Sequence, residues 1–307
     1  MEHGAVKRLL AYAAIYVLWG ASFLAIKVVV AVVPPFLAAG IRFLSAGAML
    51  LLFSFWRKQP QPEGPEWRNL LLLAGILFIG DYALLFWAEQ RLASGLAAVL
   101  AATIPTQVYL LEWLWLRRVR ISPTAALGLA LGLGGVAALV LPSSLLKARA
   151  EVNLYAPVAL LAATCWAVGT VLSTRLALPK ARQVNAGWQM TLGGTLLLAL
   201  SAGAGEWRRL STASLTPRVW LSMAYLIVFA SLAAFSAYIY LLAHAPARRV
   251  ASYAYVNPII ALLLGSWLGG ESISPRQGIA CAVVIAGVLA TLLGREGASQ
   301  QPVAVEG

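Results

Sequence analysis

Charge is what this chain has least of. Only 11% of its 307 residues are Asp, Glu, Lys or Arg, while 61% are apolar. Soluble domains carry about 25% charged and roughly 45–50% apolar residues. A surface so poor in charge cannot be solvated, which excludes a soluble globule. Histidine is nearly missing, with His3 and His244 its two positions, and Asp81 is the single aspartate. Neither a metal cluster nor an acid–base constellation can be built from that supply, and no GxSxG turn is present, so an enzyme is excluded and no metal or cofactor is expected. The two cysteines, Cys165 and Cys281, lie inside apolar runs and offer no disulfide framework or CxxC site. No P-loop is present, so ATP cannot drive this chain directly. The net charge of +12 comes from basic residues scattered along loops. That scatter excludes a nucleic-acid partner and leaves the charge to report topology.

What the chain has is long apolar runs. A helix needs about 20 mostly apolar residues to cross a bilayer core. Runs of that size fall at 9–29, 35–56, 70–89, 93–116, 123–142, 156–174, 184–203, 218–243, 249–268 and 275–294. The loops between them are too short for an extramembrane domain, the longest being 204–217. The expected fold class is therefore all-α integral membrane, with ten transmembrane helices. The first run follows Lys7 and Arg8 but is too long for a secretory signal and lacks a cleavage site, so it is read as a retained span. The tail at 297–307 is polar and expected to be disordered. Under the positive-inside rule the basic residues favour cytoplasmic N- and C-termini, with Arg208, Arg209 and Arg218 on the wrong side.

The two halves repeat. Trp19 aligns with Trp166, Gly40 with Gly187, Arg42 with Gln189 and Gly47 with Gly194; farther on, Pro105 meets Pro258, Pro123 meets Pro275 and Gly135 meets Gly287. The register drifts by a few residues, as short loop insertions would produce. Each half, 1–147 and 148–296, holds five spans, and an odd count makes the second half enter from the opposite face. The fold is then two inverted five-helix repeats, with a site expected near the midplane between them. A receptor or structural subunit would demand neither inverted repeats nor paired midplane prolines.

Three segments carry a resemblance: LWGASFLAIK at 18–27, CWAVGTVLSTR at 165–175 and NPIIALLLGSWLGGESISPRQGIACAVVIAGV at 257–288. They resemble the EamA-type repeats of the drug/metabolite transporter superfamily, and within it the chain is most similar to bacterial aromatic amino acid exporters. The resemblance implies a monomer in the bacterial inner membrane that exports aromatic or other neutral amino acids by alternating access. Its cavity would lie between spans 1, 3 and 4 of one half and 6, 8 and 9 of the other. The acidic residue that closes the fourth helix of such repeats is Glu271 in the second half; the first half has Arg117, Arg118 and Val119 there.

Pro105 and Pro258 each remove a backbone N–H near the centre of a span, so the carbonyls of Ala101 and Ala254 lose their helical partners. Such a carbonyl faces either a neighbouring helix or a cavity. Asn257 adds polar atoms at the same depth, and Ile104 is its counterpart in the first half. The small residues around them, Ala97, Ala98, Ala101 and Ala102 in one span and Ala251, Ser252 and Ala254 in the other, allow close helix packing or an open vestibule.

Intramembrane acids are functional by default. Asp81 would titrate, hold a substrate ammonium or pair with Arg42, unless the neighbouring Gly80 exposes it to water. As a proton-coupling site it would suit multidrug or organic-cation efflux, the alternative function. Glu89 is expected to be a solvated partner of Arg91, Glu112 to be neutralised by Arg117, and Lys27 and Arg42 to snorkel to the interface. Trp56, Trp67, Trp113, Trp115, Trp207, Trp220 and Trp267 fit interface anchors. Trp19, Tyr82, Phe86, Trp166, Tyr238, Tyr253 and Tyr255 fall well within spans; they form either an aromatic wall or ordinary core. Gly128 and Gly132 are read as a helix-packing face, and Gly265 and Gly269 repeat their spacing.

Overall fold

In hydrocarbon no water satisfies a backbone N–H or C=O, so long apolar runs close their hydrogen bonds as helices. The computed structural model describes residues 2–114, 122–140, 154–211, 215–244, 250 and 253–298, all helix and connections, with no strand among them. The helical spans are α1 (Glu2–Val30), α2 (Pro35–Trp56), α3 (Pro65–Glu89), α4 (Ser94–Ala101 then Ile104–Leu114) and α5 (Pro123–Val140) in the first half. The second half has α6 (Tyr155–Ser173), α7 (Arg182–Gly203), α8 (Pro217–Tyr225, Leu226–Ala233 and Ala234–His244), α9 (Tyr253–Trp267) and α10 (Pro275–Ala298). Six of them, α1, α2, α3, α4, α6 and α8, contain segments long and apolar enough to cross a membrane, and α5, α9 and α10 hold shorter apolar stretches. The expected tail begins inside α10, which runs to Ala298; the rest of it lies outside the described residues, as do Arg117, Arg118, Val119 and Trp115 and the side chain of Glu112.

The two midspan prolines act differently. At Pro105 the expected continuous span is broken: Ala102 and Thr103 form a turn between two helices, and Thr103 bonds Leu100 O through both its N (3.1 Å) and its Oγ1 (2.6 Å). Pro258 stays inside α9.

Small residues set the helix pairing. The most extensive contacts join α2 to α7 and α5 to α10. Gly40 faces Leu198, Gly47 faces Thr191 and Gly187, and Gly194 faces Leu44. Numbers rise along one helix as they fall along the other, so α2 and α7 are antiparallel. A Cβ at Gly47 would sit 2.6 Å from Thr191 N and 2.9 Å from Gly187 O, so glycine is what lets these backbones touch. Gly135 likewise faces Val284 and Ala280, and Gly287 faces Gly132 and Gly128, which makes α5 and α10 antiparallel too and gives the Gly128–Gly132 face its partner. Exchanging the halves carries the α1–α9 contact onto α6–α4 and the α3–α6 contact onto α8–α1.

Carboxylates from the second half close helix starts in the first. Glu271 accepts from Ser94 N (2.9 Å) and Ser94 Oγ (2.8 Å) at the start of α4, and Glu206 accepts from Leu37 N (2.8 Å) at the start of α2. Each meets both an unpaired N–H and the positive end of a helix dipole. Glu271→Ala is expected to lower the stability of detergent-solubilised protein by about 1 kcal/mol, the worth of a lost N-cap, read as a lower thermal midpoint. An unchanged midpoint would show that the cap contributes nothing.

Candidate functional site

The third helix of each half loosens at mid-length into π-helical turns, Gly75–Ala83 in α3 and Leu226–Ala233 in α8. A π turn widens the backbone ladder and frequently accompanies function. Both turns reach the centre of the bundle. In α8 the Ala230 carbonyl accepts a hydrogen bond from Trp19 Nε1 of α1 at 3.0 Å. In α3 the turn presents Asp81 and Tyr82 to a central cavity.

Both halves supply the wall. Trp19, Ser22, Phe23 and Ile26 come from α1, Arg42 from α2, Asp81, Tyr82 and Leu85 from α3, and Ala98, Ala101, Ala102 and Ile104 from α4 or its break. Trp166 comes from α6, and Tyr253, Asn257 and Pro258 from α9. The alanines of α4 leave space where larger side chains would fill it. The rings interlock edge to face, the geometry their quadrupoles prefer. Trp19 stands 6.4 Å from Trp166 at 87° and 5.2 Å from Tyr253 at 86°, and Tyr82 stands 5.7 Å from Trp166 at 88°. With its amide turned to satisfy both carbonyls, Asn257 donates to Tyr16 O (2.9 Å) and Tyr253 O (3.3 Å), tying α9 to α1 where Gly20 lets the two approach.

Two opposite charges share this apolar wall. Asp81 is 6% exposed and Arg42 2% exposed. Arg42 Nε donates to Ser231 Oγ in the π turn of α8 at 2.9 Å. Its guanidinium carbon lies 4.5 Å from the Phe43 ring centre, 5.3 Å from that of Tyr82 and 5.8 Å from that of Phe86.

An EamA-like transporter family model matches residues 7–141 and 153–293, one match in each half. The inner membrane transporter YedA of Escherichia coli K12, itself uncharacterized, is 32% identical over 92% of this chain and 89% of its own length. An uncharacterized transporter of Synechocystis is 29% identical over 89% of this chain and 86% of its own length. The chain belongs to the EamA-like transporter family. A crystal structure that covers 97% of this chain and 99% of its own matches at a TM-score of 0.64 with 22% identity, a likeness of fold alone. Like its relatives, this EamA-like protein is an integral membrane transporter.

Most of the residues singled out in the EamA-like sequence converge on the cavity: Trp19, Asp81, Tyr82, Ala98, Ala101, Ile104, Trp166, Asn257 and Pro258 all line it. Phe86, fully buried, stands behind Arg42, and Tyr238 stands behind Trp19 at 5.1 Å. Pro105 is buried beside the break in α4 and does not reach the wall. Tyr255, Ala251, Ser252 and Ala254 lie outside the described side chains.

Two charged residues depart from expectation. Arg42 does not snorkel, because rings and Ser231 hold its head inside the bundle. Lys27, half-buried in the last turn of α1, donates from its Nζ to the carbonyls of Glu89 (2.8 Å) and Gln90 (3.3 Å), closing the end of α3. Glu89 is not solvated; it is 0% exposed, and neither carboxylate oxygen has a hydrogen-bond partner among the described residues. Arg91 is exposed, whereas the carboxylate it was expected to meet is buried. Ser22, Phe23, Ile26 and Leu85 also line the cavity, with no signal in the sequence to mark them. Their apolar or small side chains differ in no way from packing residues until the cavity is seen.

Proposed function

We propose that this transporter exports aromatic and other neutral amino acids by alternating access, with the central cavity as its substrate site. The observation that carries the reading is an aromatic-walled space holding a carboxylate, Asp81, at the junction of the two halves. Trp19, Tyr82 and Trp166 offer ring faces and edges to an apolar side chain, and Asp81 offers a counter-ion to an ammonium. The halves 1–147 and 148–296 are inverted repeats that rock about this site, with both termini cytoplasmic. The antiparallel pairing of repeat-equivalent helices, α2 with α7 and α5 with α10, supports that arrangement.

The test is counterflow into proteoliposomes with labelled amino acids, sugars and organic cations. Uptake of phenylalanine, tryptophan or another bulky neutral amino acid is the expected result. The buried carboxylate in a ring of aromatics also suits lipophilic cations, and a preference for them would move the function to drug efflux. Asp81→Asn is expected to lower amino-acid counterflow roughly tenfold, the worth of one charge-assisted hydrogen bond, and to alter its dependence on pH. Identical pH profiles would remove Asp81 as the proton-coupling group, and unchanged flux would remove it from the site.

A further inference from the structure

The proposed function gives Asp81 a partner and leaves Arg42 without one. Arg42 lies eight positions into α2, and its head is drawn into the wall of the same cavity that Asp81 lines. Nε is occupied by Ser231, but Nη1 is buried with no hydrogen-bond partner among the described residues. The rings of Phe43, Tyr82 and Phe86 pack around it, and the buried carboxylates of Glu89 and Asp81 lie within electrostatic reach without hydrogen bonding to it. A cation placed in the membrane interior and left short of acceptors is costly, and such residues mark substrate or ion pathways. Guanidinium is also the side chain best matched to a carboxylate, which it can grip with two parallel N–H groups. The ring contacts supply orientation: they hold the guanidinium plane beside Tyr82, next in sequence to Asp81.

We infer that Arg42 is the receptor for the substrate's carboxylate, so that Arg42 and Asp81 together select a zwitterion. This rests on the amino-acid reading above and narrows it. A cavity with one fixed positive and one fixed negative group presents a dipole to its contents. An α-amino acid answers both charges at once. A primary amine leaves Arg42 uncompensated, and a carboxylic acid without an amine leaves Asp81 so. A lipophilic cation meets attraction from one group and repulsion from the other, which is how this site discriminates against drug-like amines. Unpaired buried charges, more than missing attraction, give sites of this kind their selectivity.

Three ligands of one shape separate the roles: phenylalanine, phenethylamine without the carboxylate, and 3-phenylpropionate without the ammonium. Wild-type protein is expected to favour phenylalanine over each of the other two by about tenfold or more in competition for counterflow, one charge-assisted hydrogen bond being enough for that factor. R42Q is expected to lose its preference for phenylalanine over phenethylamine while keeping the preference over 3-phenylpropionate. R42K, which keeps the charge without the planar fork, is expected to fall between. A uniform loss for all three ligands in R42Q would overturn the assignment and make Arg42 a packing residue, and so would an unchanged ranking. Should R42Q fail to accumulate, the wild-type ranking decides alone, and equal competition by phenylalanine and phenethylamine overturns the proposal. If the wild type carries phenethylamine and not phenylalanine, the amino-acid reading falls as well; if phenylalanine is carried but R42Q ranks ligands as the wild type does, only the role of Arg42 falls.

Discussion

Gly194→Leu is expected to leave almost no folded transporter. A Cβ at Gly194 would lie 2.8 Å from Leu44 Cα and 3.0 Å from Leu44 Cβ, with the Leu44 backbone nitrogen nearer still. Main chain cannot rotate aside as the tip of a side chain can. The helices would have to separate along the whole of the α2–α7 contact, including the approaches at Gly40, Gly47 and Gly187. Overfilling a packed interior by a few methylenes costs about 1–3 kcal/mol and sometimes more. Between membrane helices the loss is compounded, because lipid tails are as apolar as leucine and close packing is the main force holding the pair. Gly203 lies on the same helix, and a Cβ there meets nothing within 4 Å, so Gly203→Leu is the control. The measurement is the yield of monodisperse protein in gel filtration after mild detergent extraction. Near-wild-type yield for Gly203→Leu and near-total loss for Gly194→Leu is the expected pair. Equal yields would show that the α2–α7 contact does not hold the halves together.

Those glycines were visible in the sequence because they recur. Gly40 aligns with Gly187 and Gly47 with Gly194, and all four lie in the contact between the equivalent helices. The span 35–56 also emerges with its expected limits, because Pro35 starts the helix and Arg57 with Lys58 closes the apolar run. What could not be read was direction around a helix axis at single positions. Arg42 is the eighth residue of α2, about 10 Å from its start at 1.5 Å per residue. Its long side chain fits either outcome on paper, and only the rings and Ser231 on neighbouring helices decide for the interior. Its alignment with Gln189, another polar residue in mid-span and also buried, was the available signal. The π turns left no trace either: α3 and α8 read as unbroken apolar helices, yet the turns place Asp81, Tyr82, Ala230 and Ser231 at the centre. Glu89 looked like a span-end carboxylate because the Lys27 ammonium that closes α3 above it comes from a distant part of the chain.

The other large effect is expected at the cavity wall. Trp166→Ala should lower phenylalanine counterflow roughly tenfold or more, while the amount of folded protein stays within about twofold of the wild type. Without the indole α6 still packs through Ala162, Ala163, Ala167 and Gly169, all buried and all kept in the variant. Gly169 in particular sits close against Leu77 of α3, an α3–α6 contact that remains when the ring is removed. What the ring does hold is the shape of the wall. It stands edge-on to both Trp19 and Tyr82, and each such aromatic pair is worth about 0.5–1.5 kcal/mol beyond its area. Without it, Tyr82 loses one of the three rings packed on it, with Phe43 and Phe78 remaining, and a substrate ring loses both the contact and part of the tyrosine's support. Two such contributions reach the roughly 1.4 kcal/mol that makes a factor of ten. Trp166→Phe should recover part of the flux, because an aromatic edge remains. Tyr82→Ala should resemble Trp166→Ala, whereas Tyr238→Ala, one layer behind Trp19, should act mainly on stability. Wild-type flux in both Trp166→Ala and Tyr82→Ala would reduce the aromatic wall to packing, and the site would then have to be sought among the polar groups alone.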